Sequence, residues 1–218
     1  MNDAPAMNTA LDHIVFATSN LALATEAFAD LTGCLPIPGG PHPAMGTRNV
    51  LVSFGDGVYL EIVGPDPERK VDGLQAAAMA ALERDSLFAW ALATTDLQGI
   101  ALNASRMGLE PSAPSETSRT LPDGTKLTWE LLWLRKMGGT WPFFINWLDT
   151  PHPSVDSPKV GALLSFTVDL PVDDSNRLPF ETPAGVGLRT GAPRISLAFE
   201  STRGPIEWSE DDPKGFFL

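Results

Sequence analysis

The chain is 218 residues long and acidic, with 27 Asp and Glu against 15 Lys and Arg and a formal net charge of −12. Phosphate recognition needs clustered Lys and Arg, so this balance argues against nucleic acid and anionic membrane as partners. An apolar fraction of 43% with 19% charged residues suits a chain that folds about a core and is too apolar for disorder.

The length fits one compact unit. Cys34 is the single cysteine, which excludes an intramolecular disulfide and a Cys-rich zinc site. No run is long and apolar enough to span a membrane. The opening stretch MNDAPAMNTA lacks the basic start and apolar core of a secretory signal, so a cytoplasmic protein is expected.

Residues 11–18, LDHIVFAT, read as a strand. Ser19 and Asn20 offer capping side chains before a helix over 21–32, and Gly33 is placed to stop it. A turn-rich loop over 35–45 carries Gly39-Gly40 and Pro41-His42-Pro43 and has room for a further short strand. Strands over 48–54 and 58–63 flank the hairpin signal Gly55-Asp56-Gly57. The Ala-rich stretch 74–84 reads as a connecting helix.

The first pattern then returns. Residues 87–93 are a strand, Thr94-Thr95-Asp96-Leu97 mirrors Thr18-Ser19-Asn20-Leu21, and 97–107 is helical with Gly108 as its stop. Strands over 117–121 and 126–134 flank the turn Pro122-Asp123-Gly124, and 141–148 is a further strand. This is an internal repeat of strand, helix and antiparallel strands, too long for a solenoid unit. The remainder is mostly strands, over 160–168, 186–188, 194–200 and 205–209. The expected division is 10–68 for the first module, 69–157 for the connecting helix and second module, and 158–218 for a strand-rich extension.

Leu11-Asp12-His13-Ile14, the run from Gly39 to Asn49, and Tyr59-Leu60-Glu61-Ile62 resemble the glyoxalase-like group of the vicinal oxygen chelate superfamily. In the second copy Leu127-Thr128-Trp129, Trp141-Pro142-Phe143-Phe144-Ile145 and Thr150-Pro151-His152-Pro153 extend the resemblance, which is strongest over 11–65. It implies an α+β fold in which paired βαβββ modules curve into an open cup, with a C-terminal third resembling a degenerate extra module. It also implies metal ligands on the first and last strand of each module, and a metal ion that chelates two adjacent substrate oxygens.

On that resemblance His13 takes the first-strand ligand position and Glu61 the last-strand one. An imidazole and a carboxylate make a half-site for a divalent metal such as Mn, Fe, Ni or Zn. Strand alternation puts Tyr59, Glu61 and Val63 on one face and Leu60 and Ile62 on the other. If the Leu/Ile face packs on helices, Glu61 points into the cup. The second half-site departs from the pattern. Aligning Thr94-Thr95-Asp96-Leu97 on its counterpart puts Ala89 in place of His13. Aligning Pro151 on Pro65 puts Trp147, or Asn146 with a one-residue slip, in place of Glu61.

Either His42, which the resemblance includes, completes a three-ligand set from the loop or no catalytic metal binds; His42 could also be a general base suited to neutral pH. His152 ranks below it. Arg48 and Asn49 would clamp a carboxylate or carbonyl of the substrate. Trp129 and Trp147 belong to an aromatic set that would line a cup for an apolar small molecule. For each of these residues the plain alternative is a structural role, as a satisfied strand histidine, a solvent-facing glutamate or a core indole.

No phosphate-binding GxxxxGK[ST] loop, GxGxxG, GxSxG elbow or HExxH occurs in the sequence. The partner expected is a small-molecule ligand, with a homodimer left open. The function expected is a small-molecule enzyme performing metal-assisted chemistry of lyase, isomerase or dioxygenase type. The alternative is a metal-free protein that sequesters a hydrophobic small molecule, and Ala89 is the residue favouring it.

Overall fold

The computed structural model of the protein describes residues 8–69, 74–120, 126–135 and 138–213. The first module runs β1 (Ala10–Ala17), α1 (Leu21–Thr32), β2 (Ile37–His42), β3 (Thr47–Gly55) and β4 (Val58–Pro65). Asn20 caps α1 by accepting from the Leu23 amide, and Gly33 ends it in the left-handed region at φ 75°, where a residue without Cβ is unstrained. The loop before β3 does contain a strand, β2.

After α2 (Leu74–Ala80) the second module repeats the order as β5 (Ser86–Ala93), α3 (Leu97–Arg106), β6 (Ser115–Thr120), β7 (Lys126–Trp133) and β8 (Phe143–Asn146). β8 is shorter than the 141–148 expected from its apolar run. Pro142 has no amide proton to give a ladder, and Leu148 sits at φ 53°, which turns the chain out of the sheet. The turn Pro122-Asp123-Gly124 lies outside the described residues.

All eight strands join one sheet in the order β2-β3-β4-β1-β5-β8-β7-β6. β1 pairs parallel with β4 and β5 parallel with β8, while β1 and β5 run antiparallel at the centre. The two modules are thus related across the β1–β5 seam. Strand alternation divides the side chains. Ile14, Leu60, Ile62, Trp90, Leu92, Leu132 and Phe144 lie in one core with Phe28 of α1 and Ile100 of α3. The other face carries Val15, Val63, Ala89, Trp129, Leu131, Trp133, Phe143 and Ile145, with Met79 of α2 packed on them.

The C-terminal third adds β9 (Leu163–Leu170), the single turn α4 (Val172–Ser175), β10 (Val186–Thr190), β11 (Arg194–Phe199) and β12 (Ile206–Asp211). These form a second sheet in the order β10-β9-β11-β12. Its Phe166, Val168, Leu197 and Phe199 join the helix-side core. The element sequence echoes the modules with a different strand order and a helix reduced to one turn. Among the described residues, no helix is long and apolar enough to cross a membrane.

Candidate functional site

The site begins at a bulge. On the ladder to β5, Leu11 pairs with Leu92 and His13 with Ala91, which leaves Asp12 as the extra residue. Successive strand residues normally face opposite ways, and a bulge re-aims one of them. Here it brings the Asp12 carboxylate against the neighbouring ring, with Oδ1 2.5 Å from His13 Nδ1. Asp12 Oδ2 accepts from the Trp147 indole Nε1 at 2.8 Å and lies 3.1 Å from His152 Nε2.

Asp12 is 1% exposed. Burial alone would raise its pKa. The hydrogen bonds and charges of His13 and His152 outweigh burial and hold it at about 2, below the ordinary 3.8. An ionised carboxylate only accepts hydrogen bonds, so His13 carries a proton on Nδ1. Its ring stacks on Tyr59 at 4.6 Å between centroids and meets the edge of Phe143 at 5.3 Å.

Glu61 reaches the same place from β4. It pairs with Val15 across β1 and with Leu51 across β3, on the face shared with His13. Its Oε2 is 3.5 Å from His13 Nε2, longer than a hydrogen bond. With the proton on Nδ1 alone, His13 faces that oxygen with a lone pair, and the gap between them then suits a cation or a donor group of a ligand. Glu61 Oε1 accepts from Asn49 Nδ2 at 2.7 Å. His42, at the end of β2, has Nε2 3.8 Å from that oxygen and 3.4 Å from Asn49 Nδ2. Its Nδ1 lies 3.2 Å from Thr47 Oγ1. Gly39 admits this arrangement, because a Cβ there would stand 2.2 Å from Asn49 Oδ1.

These residues line a cavity of about 90 Å³, several times the space one water needs. Glu61, His13, His42 and Asn49 form its polar end. Trp129, Leu131, Trp133, Phe143 and Ile145 of the second module supply an apolar wall, and Gln75 of α2 also borders the space.

The donor set fits a divalent cation at His13 and Glu61. The Asp12 carboxylate fixes the His13 ring as metal-bound imidazoles are commonly fixed. The third candidate, His42, lies 3.8 Å from Glu61 Oε1, which already accepts from the Asn49 amide. Among the described residues, no group of three or more His, Cys, Asp and Glu side chains is arranged to hold a metal ion.

The second module offers no matching donors, and its register corrects the expected counterpart of Glu61. Thr18 N bonds Val63 O in the first module and Thr94 N bonds Ile145 O in the second. Counting back along β4 and β8 from those carbonyls pairs Glu61 with Phe143, not with Trp147 or Asn146. The alignment through Pro151 fails because the chain after β8 does not copy the chain after β4. The same counting pairs His13 with Ala89, as expected, and Asp12 with Phe88.

The remaining sequence candidates separate. Asn49, Trp129 and Trp147 border the cavity with His13, His42 and Glu61. Arg48 points elsewhere, with Nη1 3.6 Å from Asp66 Oδ1 and 4.0 Å from Glu68 Oε1. Asn146 donates to Glu130 Oε2 at 3.2 Å and borders a shallow outer groove with Asn8 and Thr95. Asp12 was missed by sequence reasoning. An acidic residue beside a strand histidine was the one visible signal, and alternation spoke against it.

No curated protein matches the chain. A hypothetical protein from Staphylococcus aureus shares the fold at 17% identity, with a TM-score of 0.59 over 95% of this chain and 88% of that one. Methylmalonyl-CoA epimerase from Mycobacterium tuberculosis matches at 17% identity and a TM-score of 0.45 over 70% of this chain and 94% of that one. A Streptomyces coelicolor methylmalonyl-CoA epimerase variant in complex with 2-nitronate-propionyl-CoA gives 17% and 0.44 over 68% and 100%. Residues 11–175, which hold both modules and every residue of the polar cluster, match the glyoxalase-like domain family, and the chain belongs to that family.

Proposed function

We propose that the protein is a cytoplasmic small-molecule enzyme that seats the apolar body of its substrate on the Trp129, Trp133 and Phe143 wall and acts on an oxygen-bearing end at His13, Glu61 and His42. The observation that carries this reading is the juxtaposition of His13 Nε2 and Glu61 Oε2, held 3.5 Å apart with His13 backed by Asp12. A divalent cation held by His13 and Glu61 would polarise adjacent substrate oxygens and favour proton loss from the neighbouring carbon. Asn49 Nδ2 is the donor within reach of an oxygen at that end. His42, at the cavity edge, moves the proton. The aromatic wall excludes water and strengthens these interactions. A proton shift of this kind supports an isomerase or lyase step on vicinal oxygens.

Elemental analysis of the purified protein by plasma mass spectrometry tests the cation. About one divalent ion per chain is expected in the wild type, with loss in both His13→Ala and Glu61→Ala. A wild type that takes up no Mn, Fe, Ni or Zn would overturn the metal-assisted reading. The second reading, a sequestering protein for a hydrophobic molecule, is favoured by Ala89, Leu131 and Phe143, which leave half the cavity apolar. A thermal-shift screen of apolar small molecules with and without Mn or Zn separates the two, since a ligand bound to the native state raises apparent stability.

A further inference from the structure

At the positions matching His13 and Glu61 the second module carries Ala89 and Phe143, yet two of its side chains reach across to the first. Trp147 follows β8 and donates its indole N–H to Asp12 Oδ2 at 2.8 Å. His152 opens the short 3-10 turn Pro153–Val155 and lies 3.1 Å from the same oxygen through Nε2. The donor and acceptor roles can be assigned around the whole chain of contacts. Three ring nitrogens meet the two Asp12 oxygens and the indole can only donate, the pattern of a carboxylate that accepts throughout, so His152 Nε2 donates to it. His152 Nδ1 then accepts, and it has donors at hand in Ser154, whose Oγ is 2.7 Å away and whose amide N is 3.3 Å away. At the other end Asp12 Oδ1 accepts from His13 Nδ1. His13 is left with its lone pair on Nε2, aimed at the gap before Glu61.

Packing holds the same residues in place. His152 meets Tyr59 and Trp147 edge to face at 5.5 and 5.6 Å, and Trp147 leans on Trp129 at 5.6 Å. Tyr59 in turn stacks on His13. Both helpers lie beyond the last strand of their module, where the register no longer copies the first.

We infer that Trp147 and His152 are positioning residues: together they pin the Asp12 carboxylate, which keeps the His13 proton on Nδ1 and its Nε2 lone pair facing Glu61 and the cavity. The second module thereby sets the state of a group that only the first module supplies. The reading of His13 as a metal ligand underlies only the affinity part of the test. The tautomer part stands apart from it.

The test uses the full chain labelled with 15N-histidine, stripped of metal and held above neutral pH. Long-range 1H–15N correlation reports which ring nitrogen carries the proton, with His13→Ala and His152→Ala giving the assignments. Wild-type His13 is expected as the Nδ1–H tautomer and His152 as the Nε2–H tautomer. Trp147→Phe keeps the ring packing and removes one donor. His152→Ala removes the other, and His152→Gln returns an N–H at a similar reach. The double variant Trp147→Phe with His152→Ala should show His13 as a mixture of tautomers. Each single change should show part of that shift, so the result does not hang on the double variant folding, and His152→Gln should restore the wild-type pattern. A His13 ring still wholly Nδ1–H in the variants would overturn the inference, as would one protonated on both nitrogens or on Nε2 in the wild type. Titration with Zn or Mn should show affinity falling about tenfold to a hundredfold in the double variant. A wild type that binds neither metal, with the tautomer pattern as expected, would sink the metal-ligand reading and leave the positioning role standing.

Discussion

The two modules share a scaffold and differ in almost everything that faces the cavity. On the helix side, Ile14, Val50 and Ile62 of the first module correspond to Trp90, Leu132 and Phe144 of the second, and all six are buried. On the cavity side, Asp12, His13, Asn49 and Glu61 correspond to Phe88, Ala89, Leu131 and Phe143. The fold constrains the first set through packing density, which accepts any apolar side chain that fills the space. It constrains the second set much less, so one module holds a polar cluster and the other an apolar wall on nearly the same backbone. A cavity with one face of each kind would suit a ligand that is itself two-ended, as the proposed substrate is, which two identical half-sites would not favour.

Exchanging residues between the walls tests this most strongly. Leu131→Asn writes the first module's residue into the second. It removes a buried leucine from beside Trp133 and leaves a buried amide without partners, at a cost of roughly 3 kcal/mol or more. Glu61→Met runs the other way. It takes the acceptor from the Asn49 amide but fills the half-buried place with an apolar chain of similar size, so about 1 to 2 kcal/mol is expected, with the site's chemistry lost. Guanidinium unfolding of both variants decides it. Equal costs would mean that the two walls answer to the same constraint and that the polar cluster is structural.

Acid provides a second contrast. The folded-state pKa of Asp12 is held at about 2 against an ordinary 3.8. Between those values the unfolded chain binds more protons than the native one, so stability rises with pH. The contribution is fully present above the ordinary value and is lost as pH falls through the folded one, about 2 kcal/mol in all. Unfolding measured from pH 2 to 6 should show this limb in the wild type and lose it in Asp12→Asn. Phe88→Leu, at the corresponding bulge, should leave the limb unchanged. A limb that survives Asp12→Asn would move the acid sensitivity to another carboxylate.

How much of this was legible in the chain follows the same division. The succession of elements along the chain, the helix caps and the repeat rest on local pattern, and Thr94-Thr95-Asp96-Leu97 marked the start of the second helix as Thr18-Ser19-Asn20-Leu21 marks the first. Strand alternation turned Glu61 inward, the family resemblance supplied His13, His42 and Asn49, and all four border one cavity. Arg48 was misread, since nothing local shows that Asp66, buried after β4, is within its reach. The Glu61 counterpart was misplaced because a sequence alignment cannot count through loops of unequal length, whereas the Val63 and Ile145 carbonyls can. The Asp12 bulge was invisible because it is a property of two paired strands, and one strand's sequence does not show the ladder it enters.

Where no ligand is involved the modules should behave alike, and the helix caps give the smallest and cleanest measure of it. Asn20 accepts from the Leu23 amide at 3.2 Å and Asp96 from the Gly99 amide at 2.8 Å. Behind each, a threonine hydroxyl accepts from the cap's own backbone amide, Thr18 for Asn20 and Thr94 for Asp96. Substituting either cap by Ala should cost about 1 kcal/mol. Asp96 carries a charge at the positive end of a helix dipole, so its cost should exceed that of Asn20 by about 0.5 kcal/mol at low ionic strength. Salt screens that part, and at high salt the two costs should converge. Convergence would mean that the repeated turn does the same work in both modules. A difference that persists in salt would mean that one cap is held by contacts the other lacks, and the divergence of the modules would then reach beyond the cavity.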